Sequence, residues 1–205
     1  MDGLKLYSVS DAYIEFLRND YPNVYSNKMD TRIHTRKYIG VVISLDKYKY
    51  YVPLSSPKDT DYQVAGEKKV IKKSIVPIVR IVVKNAQGER ELKGTLRISH
   101  MIPVPESELE LYDAENETDN AYKDLIKSEI VFIRKNKERI LANAKLLYKQ
   151  KAENDVTAGY VKSALEYKAL EKMCDKYIRN TEYLATLDKS IAEAEEGGFV
   201  IKNLF

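Results

Sequence analysis

Residues 37–58 read KYIGVVISLDKYKYYVPLSSPK. Val41, Val42 and Ile43 are β-branched and suit an extended backbone, and Tyr50 to Leu54 continue the pattern after a short polar break. Two such runs around Leu45-Asp46-Lys47 predict a β-hairpin with its turn at 45–47. The second run ends in Ser55-Ser56-Pro57-Lys58. Two hydroxyls and an ammonium thus follow a strand directly, beside a proline that fixes the backbone. Turn chemistry alone explains Ser-Ser-Pro. The same groups could also serve a phosphate.

Working outward, Leu4 to Val9 alternates as a first strand. Ser10 has the chemistry of a helix N-cap, ahead of Tyr13, Phe16 and Leu17 at helical spacing. That helix should stop near Pro22, because the residue before proline avoids helical angles. Residues 23–36, NVYSNKMDTRIHTR, show no period and read as a long loop of the functional kind. SIVPIVRIVV (74–83) is a further strand, and Pro77 puts it at a sheet edge or a bulge. GTLRIS (94–99) and MIPVP (101–105) are short strands. After Pro105 the period changes. Tyr122, Leu125, Ile126, Ile130, Ile133, Ile140, Leu141, Ala144 and Leu147 recur at intervals of three and four, with a break expected at Asn136. Residues 161–178 repeat the pattern, and Thr181 is placed to cap a last short helix through Leu184, Leu187 and Ile191. Strands in 1–105 and helices in 119–195, with a short tail 196–205, predict an α+β domain spanning residues 1–205. Its core would be a compact, antiparallel, barrel-like sheet with amphipathic helices packed on it.

Composition is globular, with 44% hydrophobic and 32% charged residues. The 16 tyrosines suit half-buried surfaces and base stacking as well as core filling. One cysteine, Cys174, excludes an internal disulfide framework and fits a reducing cytoplasm. The N-terminus has no secretory pattern, and no window approaches a membrane span. Residues 1–105 carry 18 Lys/Arg against 11 Asp/Glu, and residues 106–205 carry 16 against 20. A basic first half points to a polyanionic partner, although uneven scatter of charge would give the same count.

Standard catalytic patterns are missing. There is no phosphate-binding P-loop, no dinucleotide fingerprint, no nucleophile elbow and no Cys/His metal spacing. No cofactor is expected. What remains is hydroxyl and ammonium chemistry. Ser55, Ser56 and Lys58 follow the hairpin, and Tyr13 sits on the first helix. Arg32, His34, Arg36 and Lys37 lie in or beside the long loop. Lys68, Lys69, Lys72 and Lys73 form a basic run, for which a solvated face is the simpler reading. Such a set suits RNA: cations neutralise phosphate, hydroxyls donate to its oxygens and aromatic rings stack on bases.

KLYSVSDAYIEFL, KYIGVVISLDKYKYYVPLSSPK, HMIPVP and LIKSEIVFIRKNKERI occur in that order. Together they resemble the ToxN/AbiQ family, the toxins of type III toxin–antitoxin systems, and most resemble its CptN branch. The resemblance runs from about Leu4 to Ile178. It implies a Kid/MazF-like core and a bacterial cytoplasmic endoribonuclease that cuts without metal. Attack by the 2′-hydroxyl would leave a 2′,3′-cyclic phosphate. It further implies that the enzyme processes a repetitive antitoxin transcript and is held inactive by its RNA pseudoknots in a closed protein–RNA ring, with no protein antitoxin. Free toxin would cut cellular or phage RNA, in the manner of abortive infection.

By the same resemblance Ser55, Ser56, Pro57 and Lys58 match the family's hydroxyl-hydroxyl-Pro-Lys motif, and Tyr13 matches its active-site tyrosine. Arg36 takes the basic position of the loop. Arg32 stands where the family has an aromatic residue, with Tyr25 and His34 as substitutes. On chemical grounds, Lys58 would stabilise charge at the pentavalent phosphorus and Ser56 would position an oxygen. Tyr13 would hold the phosphate or donate a proton. Which group is base and which is acid stays open. Two alternatives stand beside this reading. One is a His34–His100 acid–base pair. The other is a non-catalytic RNA-binding regulator using the basic half.

Overall fold

A computed structural model describes residues 4–27, 36–155 and 157–196. Strand β1 (Leu6–Val9) leads into helix α1 (Asp11–Asp20). Ser10 caps that helix as expected, accepting from the Tyr13 amide at 3.1 Å. The hairpin forms as β2 (Tyr38–Leu45) and β3 (Tyr48–Ser55). Asp46 takes a left-handed φ of 51° in its turn, a conformation that aspartate tolerates. Next come β4 (Tyr62–Ala65), β5 (Lys68–Ile71), β6 (Ile78–Lys84), β7 (Arg90–Arg97), β8 (Ile102–Pro103) and β9 (Leu109–Leu111).

The fold is α+β, with antiparallel pairing throughout. The large sheet runs β6-β7-β3-β2-β1-β9, and β4-β5 make a separate two-stranded ribbon. Strand β3 serves two neighbours on one side. Tyr50 and Tyr51 pair with β8, while Leu54 and Ser55 pair with β7. Among the described residues the strand order does not return from β9 to β6, so the pairing is open where a barrel would close. Strand β6 is the edge strand that Pro77 implied, and Pro77 itself stands just outside it. Neither the β4-β5 ribbon nor β9 was legible in the sequence. Both are short, and β4 and β5 carry little apolar surface.

Helices α2 (Asn120–Lys135) and α3 (Lys137–Ala152) meet at the break foreseen at Asn136, whose side chain donates to the Phe132 carbonyl at 2.8 Å. The last helix corrects the sequence reading. Helix α4 runs unbroken from Tyr167 to Glu196. Thr181 lies inside it and hydrogen-bonds back to the Ile178 carbonyl at 2.8 Å, so it satisfies itself within the helix instead of starting a new one.

One core joins both halves. Ile14, Leu17, Val52 and Ile81 from the first half pack with Ile133, Ile140, Ala144, Leu147 and Leu170 from the helices. Tyrosine is a large part of its volume: Tyr13, Tyr38, Tyr50, Tyr51 and Tyr167 are all fully buried. Their polar tips need partners at such depth. Tyr50 and Tyr148 both donate to Glu171 Oε1, at 2.8 and 2.6 Å, which ties the sheet to α3 and α4. The tyrosine surplus is therefore first of all a structural device.

Candidate active site

The end of β3 opens into a cleft of about 1290 Å³. Its floor is Ser55, Ser56, Pro57 and Lys58, and the loop after α1 (Tyr21 to Ser26) forms one wall. His100 and the segment from Lys162 to Glu166 form another. That last segment is fixed by the Leu165 amide, which donates to the Ser99 carbonyl at 3.0 Å.

Arg36 clasps the floor to the wall. It is buried, and its Nη1 donates to the Leu54 carbonyl at 2.7 Å and to Ser55 Oγ at 2.9 Å. Its Nε donates to the Ser26 carbonyl at 3.4 Å. The guanidinium carbon lies 4.5 Å from the centre of the Tyr25 ring, a cation–π contact. Tyr25 also stacks on His100, with centroids 4.2 Å apart and planes 22° from parallel. Lys58 Nζ lies 6.0 Å from the same Tyr25 ring. The cleft thus gathers Ser55, Ser56, Lys58, Arg36, Tyr25 and His100 from four separate parts of the chain.

His100 is held neutral. Burial lowers its pKa to about 4, and the nearby positive charges of Arg97, Arg36 and Lys58 push the same way. Its Nδ1 is 2.9 Å from Ser99 Oγ. A histidine with that pKa is almost wholly deprotonated at neutral pH, which makes it a poor general acid and weakens the acid–base pairing with His34. His34, like Arg32, lies outside the described residues.

Lys58 and Ser56 are exposed at the cleft, but their backbone is not loose. The cause is Asp61, in the 3-10 turn Asp59–Asp61. Asp61 is fully buried, and its Oδ2 accepts from the Lys58 amide at 3.1 Å. The same carboxylate pairs with Arg80 and Arg97, each at 3.1 Å. Two strands of the sheet therefore anchor the turn that carries Lys58. Sequence reasoning missed this anchor. A lone aspartate after a turn carries no signal of two arginines that reach it from 19 and 36 residues away.

Glu129 of α2 is a second buried acid behind the floor. It fills the space beside Gly94, where any side chain would collide with its carboxylate, and the Ser55 carbonyl adjoins the same spot. Burial raises its pKa to about 8.

The other residues singled out in the sequence lie elsewhere. Tyr13 is buried in the core, and its hydroxyl donates to the Pro103 carbonyl at 2.7 Å. Burial raises its pKa well above the usual value. A phenol committed in this way does not reach the cleft, so the substrate-contacting role expected for Tyr13 is replaced by a core one. Lys37 also lies outside the cleft. Its Nζ bonds Ser8 Oγ at 3.0 Å and covers the Tyr112 ring at 4.2 Å, and partial burial lowers its pKa. Lys68 and Lys69 are on β5. Lys69 pairs with Asp59 at 2.8 Å, while Lys68 is exposed. Lys72 and Lys73 follow the ribbon and line a different groove. Among the described residues no three His, Cys, Asp or Glu side chains are grouped to hold a metal ion. None of the described helices is long and apolar enough to cross a membrane.

A family described as toxin ToxN of type III toxin–antitoxin systems matches residues 5–175. The endoribonuclease ToxN of Pectobacterium atrosepticum is 28% identical over 82% of this chain and 91% of its own. The endoribonuclease ToxN of Bacillus thuringiensis subsp. kurstaki is 27% identical over 86% of this chain and 85% of its own. A solved structure from work on selective toxin inhibition by a non-coding RNA pseudoknot in type III systems superposes with a TM-score of 0.65. It is 27% identical and covers 86% of this chain and 98% of its own.

Proposed function

The chain belongs to the ToxN family of type III toxin–antitoxin toxins, and from that premise we propose that it is an endoribonuclease working in the bacterial cytoplasm. The cleft at the end of β3 is its active site, and a folded repeat RNA is its inhibitor, joined with it in a closed protein–RNA assembly. The observation that carries this reading is the convergence of Ser55, Ser56, Lys58 and Arg36 on one cleft, with Tyr25 and His100 as its aromatic wall.

The chemistry follows from the groups present. The substrate brings its own nucleophile. Its 2′-hydroxyl attacks the adjacent phosphorus and the bond to the 5′-oxygen breaks. The products are a 2′,3′-cyclic phosphate and a 5′-hydroxyl end. Lys58 and the Arg36 guanidinium supply positive charge for the dianionic, pentavalent phosphorus. Positive charge from side chains takes the place of a metal ion. Ser56 donates to a non-bridging oxygen. Ser55 is oriented by the hydrogen bond it accepts from Arg36. Tyr25, covered by His100 and the Arg36 guanidinium, offers the edge of its ring to a base. The proline and the Asp61 anchor hold these groups in place, so much of the acceleration comes from in-line alignment.

The test uses purified protein and the repeat precursor RNA in EDTA. Wild type should cut and leave cyclic-phosphate ends, and Lys58→Ala should be slower by roughly 10²–10³-fold. Undiminished cutting by Lys58→Ala would overturn the site assignment. Loss of cutting in EDTA would overturn the metal-free chemistry. Binding without cutting by wild type would favour the non-catalytic regulator. Tandem short repeats upstream of the coding region are the expected genetic signature, and their absence would count against the RNA inhibitor.

A further inference from the structure

A second groove, of about 560 Å³, lies away from the cleft, between the ribbon, the β6–β7 hairpin and the junction of α2 with α3. Lys72, Lys73, Arg80, Lys84, Arg90 and Arg139 line it, and among the described residues no acidic side chain does. Lys73, Lys84, Arg90 and Arg139 are exposed and make no ion pair among the described residues. A surface that merely needs solubility mixes both signs of charge. This one collects a single sign from two stretches of the chain, 72–90 and 132–139, that are distant in sequence.

Its floor strengthens the case. Arg80 is buried, and its Nη1 donates to the Lys73 carbonyl at 2.7 Å. Its Nε has no hydrogen-bond acceptor among the described residues. Arg80 and Arg97 share one carboxylate, that of Asp61, so the buried cluster beneath the groove keeps an excess positive charge. At the far side, Asn136 precedes α3 but turns its side chain back to the Phe132 carbonyl, leaving the first turn of α3 without a side-chain cap. Uncapped amides at a helix start favour an anion. Phe132, half-buried, adds a flat apolar face to the same wall.

We propose that this groove is a second RNA-binding site, one that grips the sugar–phosphate backbone of an RNA segment outside the cleft. RNA as the ligand rests on the function proposed above. The groove itself rests on its charge and geometry. The two sites adjoin through one residue: Asp61 holds Lys58 of the cleft on one side and Arg80 of the groove on the other. An RNA long enough to reach both is held at two points, and a short one at only one.

The experiment measures binding of a 2′-O-methyl RNA of about 30 nucleotides, which cannot be cut and so reports binding apart from catalysis. The groove variant combines Lys73→Gln, Arg90→Gln and Arg139→Gln. A control variant removes the same charge elsewhere, through Lys149→Gln, Lys172→Gln and Lys189→Gln. All six side chains are on the surface, and circular dichroism checks that both variants fold. The groove variant should bind at least about tenfold more weakly than wild type. Its affinity should depend less on salt, with the log–log slope reduced by about 2, as three lost phosphate contacts require. The control should bind like wild type. Equal affinity of groove variant and wild type would overturn the second site. An equal loss in the control would also overturn it, since net charge would then explain the result. If wild type binds this RNA through the groove yet cuts no RNA, the proposed enzyme activity fails and the groove stands.

Discussion

Asp61→Asn is the sharpest single perturbation of this protein. The change keeps volume and shape but removes the charge that two buried guanidiniums share. Asp61 is fully buried, and Arg80 and Arg97 are nearly so. Breaking a buried pair by removing one partner costs about 3–5 kcal/mol, because the remaining charge stays buried and uncompensated. Here two cations remain, so the cost belongs toward the upper end of that range. Folded chains of this size lose roughly 2–4 °C of melting temperature per kcal/mol. A drop of about 10–20 °C follows, measurable by circular dichroism or calorimetry. Adding Arg80→Leu to Asp61→Asn removes one of the stranded cations and should recover part of that loss, a coupling that a double-mutant cycle isolates. Below its melting transition Asp61→Asn should also cut RNA more slowly, because the amide of Lys58 loses its carboxylate acceptor. A melting temperature within about 2 °C of wild type would refute the anchor. So would a double variant no more stable than the single one.

Three further outcomes are expected. Burial holds Glu129 at a pKa of about 8, so the folded protein retains a proton that the unfolded chain has released above about pH 4.5. Stability should therefore fall as pH rises from about 4.5 to about 8, by at most ~1.4 kcal/mol per unit, and Glu129→Gln should remove that slope in denaturant titrations across the range. His100 should titrate near pH 4 by NMR. Its share of stability is complete above about pH 6.5 and is lost as pH falls toward 4, and the rate of RNA cleavage should show no limb from it between pH 5 and 8. Tyr13→Phe strips one buried hydroxyl from the Pro103 carbonyl and should cost about 1–2 kcal/mol of stability, read from denaturant midpoints, while cleavage stays within about twofold of wild type.

Much of the architecture could be read from the sequence because it rests on local periodicity. The 37–58 hairpin, the Ser10 cap, the edge strand after Pro77 and the helix break at Asn136 each depend on a few neighbouring residues. The floor of the cleft was legible for the same reason, since Ser55 to Lys58 are contiguous. What escaped was assembled over distance. The Asp61 anchor needs arginines from two strands, and the Tyr25–His100 stack joins positions 75 residues apart. Tyr13 misled in the opposite direction. Family position spoke for the cleft, but only the packing around it shows that its hydroxyl is already spent on the Pro103 carbonyl. The basic run Lys68 to Lys73 was one block in the sequence and three environments in space. Lys69 is paired with an acid, Lys68 is solvated, and Lys72 and Lys73 face a groove.

The clasp made by Arg36 has a consequence for how such a protein can diverge. It reaches the Ser26 and Leu54 backbones through carbonyl oxygens, so substitutions at 26 and 54 leave the contacts intact. It therefore ties the Ser26 wall of the cleft to the end of β3 by groups that every residue type possesses. Asn27 adds a second tie, donating to the Val9 carbonyl at 2.8 Å and to Asp11 Oδ1 at 3.1 Å. In evolutionary terms the placing of Ser55 is insured against drift at positions 26 and 54, because a main-chain oxygen cannot be mutated away.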